Sequence, residues 1–133
     1  MVTAALLAIA LLFGGMILYS FGFAAFLFTA LPPETAGPAL RRAFPHFYLF
    51  VLVTAAVAAV LTWSLALPLS FALAAVAATV WPTRQLLMPA INRATDAGAK
   101  STFKVLHGLS VVITLTHIGT VGWVLSQFPG LVR

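Results

Sequence analysis

The chain has 133 residues, 62% of them hydrophobic and only 7% charged, with a net charge of +5. A water-soluble domain carries roughly a quarter charged residues, so there is too little polar surface here to cover a soluble globule. The absence of cysteine excludes disulfides, thiolate metal sites and cysteine nucleophiles.

No charged side chain occurs from Met1 to Pro33, from Phe44 to Thr83 or from Val105 to Val132. Each interval exceeds the roughly 20 residues a spanning helix needs, and the middle one has room for two. The apolar runs are continuous rather than alternating, which favours helices over a barrel. The expectation is an all-α integral membrane protein, with residues 1–133 folded as one four-helix bundle.

The first helix is expected over about 3–31, ended by Pro32-Pro33, which cannot continue it. Met1-Val2-Thr3 lacks a basic leader, and the apolar run is about twice the length of a secretory one. It therefore reads as a retained helix. A polar loop, PPETAGPALRRAF, follows. The second helix is expected from Pro45, a residue suited to a first turn, to about 65, with Trp63 and Ser64 interfacial. Pro68 marks a hairpin, and the third helix is expected over about 69–88. It must bend at Pro82, because the stretch from Leu69 to Trp81 makes only about 20 Å of helix. The fourth is expected over about 103–128, stopping at Pro129-Gly130.

Charge orients this arrangement. Arg41, Arg42, Arg84, Arg93, Lys100 and Lys104 are six of the seven basic residues, and all fall in or beside the first and third connections. By the positive-inside rule, residues 32–43 and 89–103 are cytoplasmic loops and both termini lie on the other side, as in a bacterial inner membrane. These six side chains are the expected contacts to anionic lipid headgroups. Nucleic-acid binding is excluded as a reading, because the charges belong to a membrane surface and no base-stacking platform accompanies them.

Apolar contacts do not drive helix association in lipid, so small residues or interhelical hydrogen bonds must. Gly14, Gly15, Ser20 and Gly22 offer close approach on the first helix. Thr54/Ala58 and Ala55/Ala59 do so on the second, and Ala74/Ala78 and Ala75/Thr79 on the third. At 100° per residue, His107, Ser110, Thr114 and His117 share a face about 80° wide on the fourth helix. Gly108, Leu115, Gly119 and Gly122 form a separate face there, suited to close contact. Intramembrane histidines are costly against lipid, so the polar stripe is expected to face the bundle.

That stripe has three readings. The first is interhelical hydrogen bonding. The second is a polar pathway for a proton or small solute along His107, Ser110, Thr114 and His117. The third is haem or metal ligation by His107, with His46 as the one partner at a similar depth. His107 and His117 are about 15 Å apart along the axis and cannot share one ion. Catalytic groups are sparse: Glu34 and Asp96 are the only acids, and Asp96 is spaced for helical ion pairs with Arg93 and Lys100.

Three segments carry a resemblance: GGMILYSFGFAAFLFTALP, RRAFPHFYLF and PAINRATDAGAKSTFKVLHGLSVVITL. Within them stand Phe44-Pro45-His46-Phe47, Pro89-Ala90-Ile91-Asn92-Arg93 and Phe103-Lys104-Val105-Leu106-His107-Gly108-Leu109-Ser110. The chain resembles the transmembrane protein 205-like family (domain of unknown function 4149). The resemblance implies a four-helix membrane bundle without an established activity, and it makes Asn92, Phe103, His107 and Ser110 the candidate functional cluster. The functional expectation is a non-enzymatic membrane protein. It would act as an accessory or scaffold subunit, with other membrane subunits or further copies as partners, or as a small-molecule-binding bundle. A haem- or metal-binding redox protein and a small transport unit stand as alternatives, and no cofactor is required by the first reading.

Overall fold

The computed structural model describes residues 1–131; Arg133, the one basic residue expected on the far side, lies outside them. The described residues form four helices and no strand: α1 (Val2–Ala30), α2 (Pro33–Thr62), α3 (Leu67–Asp96) and α4 (Lys100–Leu131). Each is long and apolar enough to cross a membrane. A 30-residue helix is about 45 Å long, well beyond the roughly 30 Å hydrocarbon core. This is an integral membrane protein.

The turns follow from local chemistry. Leu31 is extended, as a residue before proline prefers, and Pro33 opens α2 in its first turn. Glu34 sits in that same turn, where the helix dipole favours an acid. At the α2–α3 hairpin the amides of Leu65 and Ala66 both return to the Thr62 carbonyl. Between α3 and α4, Gly98 takes φ +64°, a left-handed conformation open to glycine. Ala99 N–H then reaches the Ala94 carbonyl and Gly98 N–H the Thr95 carbonyl, which closes the helix end as a Schellman turn.

Three boundaries differ from expectation. α4 does not stop at Pro129-Gly130 but runs on to Leu131, with Pro129 inside the helix. α2 starts at Pro33, so the supposed polar loop is helical, and Pro38 and Pro45 lie inside the helix. A proline ring fits a helix where the turn before it can forgo one carbonyl–amide bond, and here that segment lies at the exposed end. α3 likewise does not leave off near residue 88 but continues to Asp96. After Pro82 it widens into a π-helical turn over Thr83–Leu87, in which Met88 N–H bonds the Thr83 carbonyl five residues back. That turn absorbs the missing amides of Pro82 and Pro89 without breaking the helix. A second π-helical turn, Leu18–Phe23, interrupts α1.

Sequential helices pack side by side, α1 on α2, α2 on α3 and α3 on α4, and α4 closes back on α1. The core is concentrated toward the termini: Ile9, Leu12 and Met16 of α1 meet Val51 and Ala55 of α2, Leu73 and Val76 of α3, and Val121, Val124 and Phe128 of α4. The other half is looser. Between residues 18 and 30 only Leu27 is buried, and between residues 100 and 116 only Ser110.

The small-residue faces are used selectively. Ala55, Ala58 and Ala59 are buried, as the spacing predicts. Ala74, Ala75 and Ala78 instead turn outward, Thr79 is exposed but reaches α4 with its hydroxyl, and Leu73, Val76, Ala77 and Val80 make the inner face of α3. On α4, Gly122 packs on Phe13, whereas Gly108 and Gly119 face open space. On α1, the Phe50 ring lies over Gly15.

Candidate functional site

The polar chemistry gathers in the loop half, and the early start of α2 creates its outermost layer. That start carries Arg41 alongside the end of α3. Its guanidinium Nη2 donates to Asp96 Oδ1 at 2.8 Å and to the Asn92 carbonyl at 3.0 Å. Asp96 therefore pairs across helices, rather than with Arg93 or Lys100 on its own turn. One turn further in, Arg84 Nε donates to the Pro45 carbonyl at 3.2 Å. Pro45 thus lies level with Arg84, and both helices are tied there.

The π-helical turns lie at this same depth. Counting toward the loop end from the Gly15–Phe50 contact sets residues 18–23 of α1 opposite residues about 42–47 of α2, given antiparallel helices of equal rise. The Arg84–Pro45 bond sets the Thr83–Leu87 turn at that level on α3. Between them is an aromatic cluster missed in the sequence reading. Tyr19 stacks on Phe47 at 4.7 Å and meets Phe44 edge-on at 5.8 Å, and Phe23 and Tyr48 extend the group. Its signal is an aromatic every three or four residues, Tyr19 and Phe23 against Phe44, Phe47 and Tyr48. Beside it, the buried Ser20 hydroxyl oxygen has no hydrogen-bond partner.

On α4 the stripe divides by depth. His117 is buried, and its Nε2 lies 2.8 Å from Thr79 Oγ1 of α3. The Thr79 hydroxyl has one hydrogen, which it gives to the Ala75 carbonyl at 2.7 Å, so the imidazole N–H is the donor to Thr79. Ser110 is buried but donates to the His107 carbonyl of its own helix at 2.7 Å. It does not fasten α4 to a neighbour. His107 is exposed rather than bundle-facing, and its ring stacks on Phe103, centroids 5.3 Å apart. Thr114 is half-buried, while Thr116 and Thr120 bond the carbonyls one turn back, as expected.

Asn92 is half-buried on α3, and its carbonyl is spent on Arg41. The structure does not gather Asn92, Phe103, His107 and Ser110 round one point. Arg42, Arg93, Lys100 and Lys104 are exposed at the loop end, at the depth of headgroups. His46 is exposed on α2, lining a groove toward α1. α2 and α4 are not packed neighbours, so His46 and His107 have no shared wall on which to hold one ion. Among the described residues no three His, Asp or Glu side chains cluster.

A family model for a domain of unknown function, DUF4149, matches residues 7–100. The chain belongs to that family. The DUF4149 match takes in α1, α2 and α3, with the π-helical turns, the aromatic cluster and the Arg41–Asp96 pair, and it ends where α4 begins. Phe103, His107 and Ser110 lie outside the matched residues. No curated protein and no solved structure matches the chain.

Proposed function

We propose that this DUF4149 protein is a non-enzymatic subunit of a larger membrane assembly, joined to its neighbour through the open face of α4. The observation that carries this reading is the position of Gly108 and Gly119. Both stand inside a spanning helix, and a Cβ at either would meet nothing within 4 Å. A mid-helix glycine costs about 1 kcal/mol relative to alanine. Within a single chain neither glycine returns that cost through packing, whereas close approach of a helix from outside would. Leu115, on the same face, is exposed as well.

The redox and conduction alternatives draw no comparable observation. His46 and His107 stand on helices that do not pack together, and His117 is engaged by Thr79.

The test is extraction in a mild detergent followed by native mass spectrometry. The expected result is an assembly of more than one chain, either copies of this protein or this protein with another membrane subunit. The double variant Gly108→Leu/Gly119→Leu is expected to release a folded monomer, because leucine favours the helix and meets no clash within it. A wild-type chain that emerges alone from every mild detergent tried overturns the reading.

A further inference from the structure

A groove of about 750 Å³ runs along the outer seam between α1 and α2. Its walls are Leu11, Leu18 and Phe26 on one side and Phe50, seated over Gly15, on the other, with Gly22 supplying the hollow. His46 is the one imidazole on this lining. Arg42 lies one turn above His46 on the same face of α2, since residues four apart are neighbours on a helix surface. Arg41 is occupied by Asp96 and the Asn92 carbonyl, but Arg42 is exposed.

Depth decides what suits this groove. From Thr62, at the hairpin, to Arg42 is about 30 Å of helix, the thickness of the hydrocarbon core. Arg42 therefore stands at the loop-side headgroup plane and His46 about 6 Å beneath it. With Phe50 over Gly15, Arg42 lies level with about residue 23 of α1. From there down to Leu11 is about 18 Å, close to the roughly 15 Å depth of one leaflet. Below that plane the groove is thus apolar for about one leaflet's depth, with Phe26 at its mouth and Arg42 beside the lining at the headgroup plane.

We infer that this groove is a binding site for one anionic phospholipid of the loop-side leaflet. One acyl chain lies between α1 and α2, and the headgroup phosphate is held by Arg42 with a hydrogen bond from His46. The guanidinium offers the phosphate a planar pair of donors, and the chain fills a trough that lacks a protein occupant. This site is on the opposite flank of α1 from α4 and is independent of the glycine face proposed for assembly.

Native mass spectrometry of purified protein reloaded separately with phosphatidylglycerol and phosphatidylcholine tests it. The wild type is expected to retain one phosphatidylglycerol per chain in preference to phosphatidylcholine. Arg42→Gln is expected to lower that retention about fivefold, the effect of removing one basic group at an anionic surface, and Arg42→Lys to restore most of it. Gly22→Phe is expected to abolish retention of both lipids. A Cβ there meets only the tip of Leu18, at 3.2 Å, so the ring has room to enter the groove without disturbing the backbone. Leu11→Trp fills the deep end independently and is expected to act alike, with helicity by circular dichroism unchanged for each variant. Equal retention of the two lipids, retention that survives both filling variants, or no retained lipid overturns the site. An oligomer that Gly22→Phe converts to a monomer assigns the groove to a second copy of the chain and also overturns it.

Discussion

The bond between Thr79 and His117 is the one side-chain to side-chain hydrogen bond in the spanning region that joins two helices among the described residues. Its two ends differ in what they lose when the other is removed. Thr79→Val leaves a buried imidazole N–H facing no acceptor, which costs about 1–2 kcal/mol, near the top of the range for interhelical bonds in membranes. His117→Leu leaves the Thr79 hydroxyl still bonded to Ala75, so its loss is expected to be smaller, below about 1 kcal/mol. Unfolding followed by circular dichroism in mixed detergent, with increasing dodecyl sulfate, measures both. Equal losses would show that the imidazole N–H finds another acceptor. The difference between the two histidines of α4 was only half legible in the sequence. Their separation along the axis follows from residue count, but the burial of one and exposure of the other depend on how far α1 covers α4. That is set by packing at Phe13 and Gly122 rather than by the periodicity of α4 itself.

At the scale of elements, the number of helices and the one far-side turn were legible because uncharged length and proline position determine them directly. The start of α2 was not. Pro32-Pro33 and Pro38 read as a loop, yet Pro33 at the first turn initiates a helix as readily as Pro45 does. From that difference follows the Arg41–Asp96 pair, which a looped segment would not place against α3. The pair is 39% and 65% exposed at its two side chains, so it fixes register more than it adds stability. Glycine roles on α1 divide just as the contacts do. Gly15→Leu must displace the Phe50 ring, and overpacking of this kind is expected to cost about 1–3 kcal/mol. Gly14→Leu meets open space and is expected to be neutral or slightly stabilising through helix propensity. The same detergent titration compares them, and equal effects at the two positions would place the α1–α2 contact elsewhere. Sequence spacing alone nominated both glycines together, since only a partner ring distinguishes them.

At the scale of the molecule, the ends of the bundle are chemically unlike. Arg41, Arg42, Arg93, Lys100 and Lys104 are exposed at the loop end, where Glu34 and Asp96, the chain's only acids, also lie. The opposite end presents Trp63 and a proline-bounded hairpin, residues at home in an interface without charge. Translocating the loop end would carry five exposed side-chain cations across the bilayer, while the other end has no side-chain cation among its described residues, only the Met1 α-ammonium. The chain is therefore expected to insert with the loop end cytoplasmic and both termini outside. Fusing alkaline phosphatase, active only outside the cytoplasm, and green fluorescent protein, fluorescent only within it, at two sites tests this. A fusion at the Gly98 turn is expected to fluoresce and to lack phosphatase activity, and a fusion after Leu131 to show the reverse. Replacing Arg41, Arg42, Lys100 and Lys104 with glutamine is expected to yield mixed insertion, because only Arg84 and Arg93 then stand against Arg133 and the bias is much reduced. Fluorescence from the C-terminal fusion in the wild-type chain would reverse the orientation. The groove between α1 and α2 would then draw its lipid from the outer leaflet, so the topology measurement fixes which leaflet supplies the anion.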